Sequence, residues 1–197
     1  MIPLESKPLT RAGGGDPDWI SEPRADAVER YGKLSMPTSG EEMWRYIDLD
    51  FDIDEFGSAE EPGDGITDDD HFPTLGDAAA TARVVDGLAT AIDNRSPATF
   101  TSLVDAVGEH PEELRSVFGT GIPVDIDKFT AAHHAFVRDG VFVHIPEKTE
   151  LGAPMLVDVQ AATDGVVSFP HVTVVLEPSS AASLIVLYRS SPDTVGS

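Results

Sequence analysis

KFTAAHHAFVRDGVFVHIP, residues 128–146, changes its period in the middle. Phe129, Ala132, His133, Phe136 and Val137 lie at offsets of three, four, seven and eight, one apolar stripe along a helix. Asp127 stands where an N-cap belongs. Asp139-Gly140 ends the stripe, because glycine tolerates the left-handed conformation that a helix exit requires. Val141, Phe142, Val143, His144, Ile145 and Pro146 then follow the period of a strand. The stretch predicts a helix folding back onto a strand, and by itself carries no functional content.

Composition narrows what surrounds it. A chain of this length buries roughly 70% of its unfolded surface, and 41% of its 197 residues are apolar. Acidic residues number 35 against 13 basic ones, a formal charge of -22. Such a charge repels phosphate backbones and anionic lipid, so neither nucleic acid nor membrane is expected as a partner. The absence of cysteine removes any disulfide framework or thiolate metal site and is compatible with a reducing compartment. No run is long enough to span a bilayer, and the start MIPLESKPLTRAGGG lacks the apolar core of a secretion signal, so a cytoplasmic location is expected.

Outward from the opening stretch the chain divides into four parts. Residues 1–18 read as a mobile tail, 19–126 as a mostly helical region with an acidic loop at 48–70, 127–190 as a helix plus a strand-rich core, and 191–197 as a polar tail. Ala25, Val28, Tyr31 and Leu34 recur at threes, with Glu22 and Pro23 suited to a first turn, and predict a short helix ending before Met36-Pro37. From Tyr46 through Ala82 there is no Lys or Arg. Asp48, Asp50, Asp52 and Asp54 alternate with Leu49, Phe51 and Ile53, the pattern of an edge strand running into a solvated loop. The functional alternative is a calcium loop using Asp50, Asp52, Asp54 and Glu61; Glu55, standing where the turn glycine belongs, counts against it.

Periodicity leaves 74–92 open. Val84, Val85, Leu88, Ala91 and Ile92 fit a helix face, yet Asp86-Gly87 interrupts it where a hairpin turn would sit. Residues 101–118 read as helix hinged at Gly108 and Pro111. After Pro146, short apolar runs at 155–159, 166–169, 172–176 and 184–187 are separated by Asp164-Gly165, Pro170 and Pro178-Ser179-Ser180. No helix-length pattern intervenes, so a sandwich, a meander and a β-helix all remain.

The candidate ligands are His71, His110, His133, His134, His144 and His171. His133 and His134 are adjacent, diverge by about 100° on a helix and cannot both face one metal with ordinary geometry, so packing at the core edge is favoured. His144 alternates outward from Val143 and Ile145 and would meet His171 on a neighbouring strand, a two-histidine metal reading. Gly119-Thr120-Gly121 lacks the Gly-Lys-Ser/Thr that follows in a phosphate loop, and no Gly-x-Ser-x-Gly elbow occurs. No catalytic, cofactor-binding or metal residue is assigned.

The order of residues carries more than their period. Asp127-Lys128-Phe129 at a helix start, Ala135-Phe136 at its end, and Asp139-Gly140-Val141-Phe142-Val143 running on to Ile145-Pro146 resemble the hallmark of the SufB/SufD family of iron–sulfur cluster assembly proteins. Met36-Pro37 followed by Glu42-Met43-Trp44-Arg45-Tyr46-Ile47-Asp48-Leu49 resembles a box near the start of SufD-type members. Glu109-His110-Pro111-Glu112-Glu113-Leu114 resembles a helix of the family, whereas His133-His134 depart from the Leu-Asn pair common there. The resemblance runs from Trp19 to Tyr188 and leans 74–92 towards strand.

The resemblance implies an α+β fold, a helical N-terminal region followed by the first coils of a right-handed parallel β-helix. It also implies a non-catalytic scaffold subunit of the SUF complex, with SufB-like and SufC-like (ATPase) partners. No cofactor would belong to this chain, and an iron–sulfur cluster would be held only transiently by the complex. The lack of cysteine favours the SufD side, since the family's cluster-linked cysteine belongs to SufB. Family members continue past the position of Tyr188, where their cluster-building residues lie. The chain is therefore expected to be a fragment, a truncated member, or one whose open end a partner covers. Two rival classes stand beside this: an acidic ion- or ligand-binding module, and a β-helix enzyme of unknown substrate.

Overall fold

The computed structural model describes residues 3–10, 15–66 and 78–190. Among them are helices α1 (Asp18–Tyr31), α2 (Leu103–Glu109), α3 (Pro111–Arg115) and α4 (Lys128–Phe136). The strands are β1 (Ala80–Val85), β2 (Leu88–Asn94), β3 (Thr99–Ser102), β4 (Gly140–Ile145), β5 (Met155–Ala161), β6 (His171–Leu176) and β7 (Leu184–Ser190).

A reciprocal cap starts α4: Thr130 N–H donates to Asp127 Oδ1 at 2.7 Å, and Asp127 N–H donates to Thr130 Oγ1 at 3.1 Å. The helix ends at Phe136, because Val137 turns to φ -53° and ψ 132°. This exit comes before the Asp139-Gly140 pair and uses no left-handed residue, which corrects the role expected of Gly140. Its missing side chain serves the strand instead: a Cβ there would stand 1.9 Å from the carbonyl oxygen of His171.

β4 is the centre of a three-stranded sheet, order β3-β4-β6, antiparallel to β3 and parallel to β6. The second sheet has the order β2-β1-β5-β7, with β1, β5 and β7 parallel. The sheets face each other, so that Val141, Val143 and Ile145 of β4 meet Ala82 and Val84 of β1 and Met155, Val157 and Val159 of β5. Phe142, on the other face of β4, packs with Ile20 of α1, Leu103 and Val107 of α2, and Leu114 of α3. It is wholly buried, a contribution of about 1.5–3 kcal/mol. A strand covered on both faces has no polar side, which is why the 141–145 run does not alternate.

Strands β4, β5, β6 and β7 go alternately to the two sheets, β6 lying parallel on β4 and β7 parallel on β5. Parallel pairing rules out the meander. The architecture is mixed α+β with two facing sheets and no closed barrel. Asp86 (φ 50°) and Gly87 (φ 81°) form the tight turn between β1 and β2, so 80–92 is a strand hairpin; 74–77 lie outside the described residues. Asp86 is buried and ties the turn down, accepting from Ala162 N at 2.8 Å and Thr163 Oγ1 at 2.7 Å.

Four expectations are corrected. The described part of 1–18 is packed rather than free: Leu9 is fully buried against α1 and α2, and its N–H donates to Asp16. Region 19–126 holds β1, β2 and β3 as well as helices, because β1 and β3 find partners far along the chain in β5 and β4, and β2 folds back on β1. The 101–118 helix begins as the end of β3, with Ser102 accepting from Asp105 N as the cap of α2. Among the described residues the alternating 48–54 segment finds no partner strand. It closes instead into a 3-10 turn at Ile53–Glu55, capped by Asp52, with Ile53 buried between α1 and α4.

Candidate functional site

Helix α4 runs back over the start of β6 and brings His133 to His171, whose backbone pairs with Gly140. His133 Nε2 lies 2.8 Å from His171 Nδ1, and His171 Nε2 lies 2.8 Å from Thr173 Oγ1. The three groups form one hydrogen-bonded chain, which closes with the protons ordered in either direction. Phe169 meets the His133 ring edge-on at 6.2 Å, and Phe118 lies 5.4 Å from the His171 ring. Beside the pair is a cavity of about 520 Å³, bounded by loop 119–122 and His134 on one side and by Val172, Val174, Val186 and Tyr188 of the outermost strands on the other.

Burial, and then the neighbouring His134, lowers the pKa of His133 to about 4. Burial, and then His133 and His134, lowers that of His171 to about 3. Both imidazoles are neutral and weakly basic at neutral pH. A general base works best with a pKa near the operating pH, so the pair is suited to donating and accepting hydrogen bonds rather than to abstracting protons.

The same shifts set a pH dependence. Unfolded histidines titrate near 6.5 and these two near 4 and 3, so between those values the unfolded chain binds more protons than the folded one. Their contribution is therefore fully present above about pH 6.5 and is lost as pH falls towards 3. His171→Gln is expected to flatten the fall in melting temperature between pH 7 and pH 4 relative to the parent. Parallel melting curves for the two proteins would contradict the burial of the imidazole.

The other expected residues are placed apart. His134 Nε2 bonds the Ile122 carbonyl at 3.0 Å, so the adjacent histidines line one cavity without converging. His144 does not meet His171: in the β4–β6 register it lies opposite Val175, at the other end of the pair, and its ring contacts Glu177 Oε1 at 3.2 Å. His110 packs 6.0 Å from Phe142, and His71 lies outside the described residues. In the acidic segment both oxygens of Asp54 are occupied, Oδ1 by the Tyr31 hydroxyl and Oδ2 by Lys128 Nζ at 2.6 Å. Lys128, ahead of Tyr31, holds the Asp54 carboxyl below the ordinary carboxylate range. The carboxylate at the fifth calcium position is thus spent on a lysine. Among the described residues no group of three or more His, Asp or Glu side chains is placed to hold a metal ion.

Sequence reasoning missed the His133–His171 pair. The only available signal was that His171 opens a strand after Pro170; the partner depended on the β4–β6 register, which no local pattern records. It also missed Asp158, 1% exposed, which binds Arg189 of β7.

No protein-family model matches the chain. It is similar to the iron-sulfur cluster assembly protein SufD of Bacillus subtilis (strain 168), 29% identical over 93 residues, 47% of this chain and 21% of that protein. It is also similar to a chloroplastic iron-sulfur cluster assembly SufBD family protein of Arabidopsis thaliana, 26% identical over 162 residues, 71% of this chain and 29% of that protein. The match thus spans less than a third of each relative's length.

Proposed function

The chain is SufB/SufD-like, and from that premise we propose that it is a non-catalytic scaffold subunit in iron–sulfur cluster assembly, working with SufB-like and SufC-like (ATPase) partners. The observation that carries this is the similarity to two cluster-assembly proteins. The fold supports it. From β4 to β7 consecutive strands alternate between two facing sheets, with β6 and β7 each parallel to the strand two before it, as the first coils of a parallel β-helix require. The cluster is cargo of the assembled complex, and the site of action is cytoplasmic. Among the described residues no helix is long and apolar enough to cross a membrane.

Co-expression with the SufB-like and SufC-like proteins of the same host tests the proposal. The expected result is co-elution of this chain with both in size-exclusion chromatography. A folded chain that elutes apart from both overturns it.

A further inference from the structure

The segment around Trp44 divides its apolar residues between two tasks. Trp44 stacks on Phe129 of α4 at 5.3 Å, and Phe51 packs at 6.2 Å from Phe129 and 5.8 Å from Phe56. These aromatics fasten the 3-10 turn at Glu42–Trp44 to the helix. Met43, Tyr46 and Ile47 of the same segment stay open to solvent, 72%, 91% and 48% exposed. Single exposed apolar residues are ordinary, but three large ones within the five residues 43–47 are apolar surface that the described fold leaves uncovered.

The charge along this segment is mostly negative. Glu41, Glu42, Asp48 and Asp50 are exposed beside it, Arg45 lies against the Tyr46 ring at 5.7 Å, and no further Lys or Arg occurs until Arg83. An anionic lipid surface is repelled by this rim, and so is a second copy of a chain carrying a formal charge of -22. We propose that Met43, Tyr46 and Ile47 form a docking surface for a basic amphipathic helix of a partner protein, its apolar face on the three side chains and its Lys and Arg residues against the acidic rim. Tyr46 is the central anchor, a large ring with a polar tip of the kind enriched at interfaces. This surface does not rest on the role proposed above; it is defined by the turn and its rim alone.

The test uses the whole chain and a fluorescent synthetic peptide of leucine and lysine at helical spacing, with a scrambled peptide of the same composition as control. Fluorescence anisotropy should show the helical peptide binding more tightly than the scrambled one, more weakly as salt rises. The triple variant Met43→Ala, Tyr46→Ala, Ile47→Ala should weaken binding about tenfold or more. Its melting temperature should not change, because the three side chains are exposed. Leu176→Ala, an exposed apolar residue outside the patch, should leave binding unaltered. Equal binding of both peptides, or equal binding by the triple variant, overturns the proposal. Sedimentation of the chain as a dimer that the triple variant abolishes also overturns it, in favour of self-association.

Discussion

Gly140→Ala destabilises the chain by about 3 kcal/mol or more, at the upper end of what overpacking does. The added Cβ would sit 1.9 Å from the His171 carbonyl oxygen and 2.8 Å from its carbonyl carbon. Both atoms are backbone of the paired strand and cannot rotate away as a side chain could. Nor can β4 move aside, being paired on both edges and packed on both faces. Relief has to come from parting β4 from β6, which also separates His133 from His171. Urea unfolding followed by circular dichroism measures the effect, with Gly108→Ala as the control. A Cβ at Gly108 meets nothing within 4 Å, and the helical position gains up to about 1 kcal/mol from the change. Gly140→Asn separates the two roles considered for this glycine, since asparagine suits a left-handed helix exit and fails at a close approach of backbones. A midpoint for Gly140→Asn close to that of the parent would contradict the β4–β6 contact.

Asp158→Ala is expected to cost about 3–5 kcal/mol, because removing one partner strands the other charge in a buried place. Asp158 lies on the outer face of β5, 1% exposed. Arg189 grips it with Nε on Oδ1 at 2.9 Å and Nη2 on Oδ2, while Arg83 Nε stands 3.4 Å from Oδ2 and Gln160 Nε2 also donates to that oxygen. Register places Asp158 opposite Leu187 and Gln160 opposite Arg189, so the ion pair is a diagonal between β5 and β7. Burial also protects it from salt screening. A double-mutant cycle with Arg189→Met reads the coupling, expected at about 1–3 kcal/mol. Additive single changes would show that the two side chains do not hold β5 and β7 together.

The two positions differ in how far the sequence foretold them. The helix, the strand after it and the Asp86-Gly87 turn were legible, because period, cap and turn chemistry are written in adjacent residues. Gly140 was picked out for a wrong reason: a glycine after an apolar helical stripe looks like a helix exit, and nothing local shows that a second backbone passes beside it. Leu9 was read as tail because three nearby glycines dominated the composition, although one leucine was enough to reach the core. The aspartates of 48–54 alternate as a strand does, but a strand also needs a neighbour, and Asp52 capped a turn first. Outward-facing His144 suggests His171 as its partner, yet the two sit at opposite ends of one strand pair.

Residue order alone therefore determined the secondary structure from 127 to 145, the strand-only texture after it, the acidity and the likeness to cluster-assembly proteins. Tertiary structure decided which strands are neighbours, that β4 is covered on both faces, where Asp158 finds its arginine and which two histidines share a proton. The physical reason is range. Helical and strand periods arise from steric and solvation preferences within a few residues, whereas parallel pairing joins segments through long connections whose register is set only when both apolar faces are buried together.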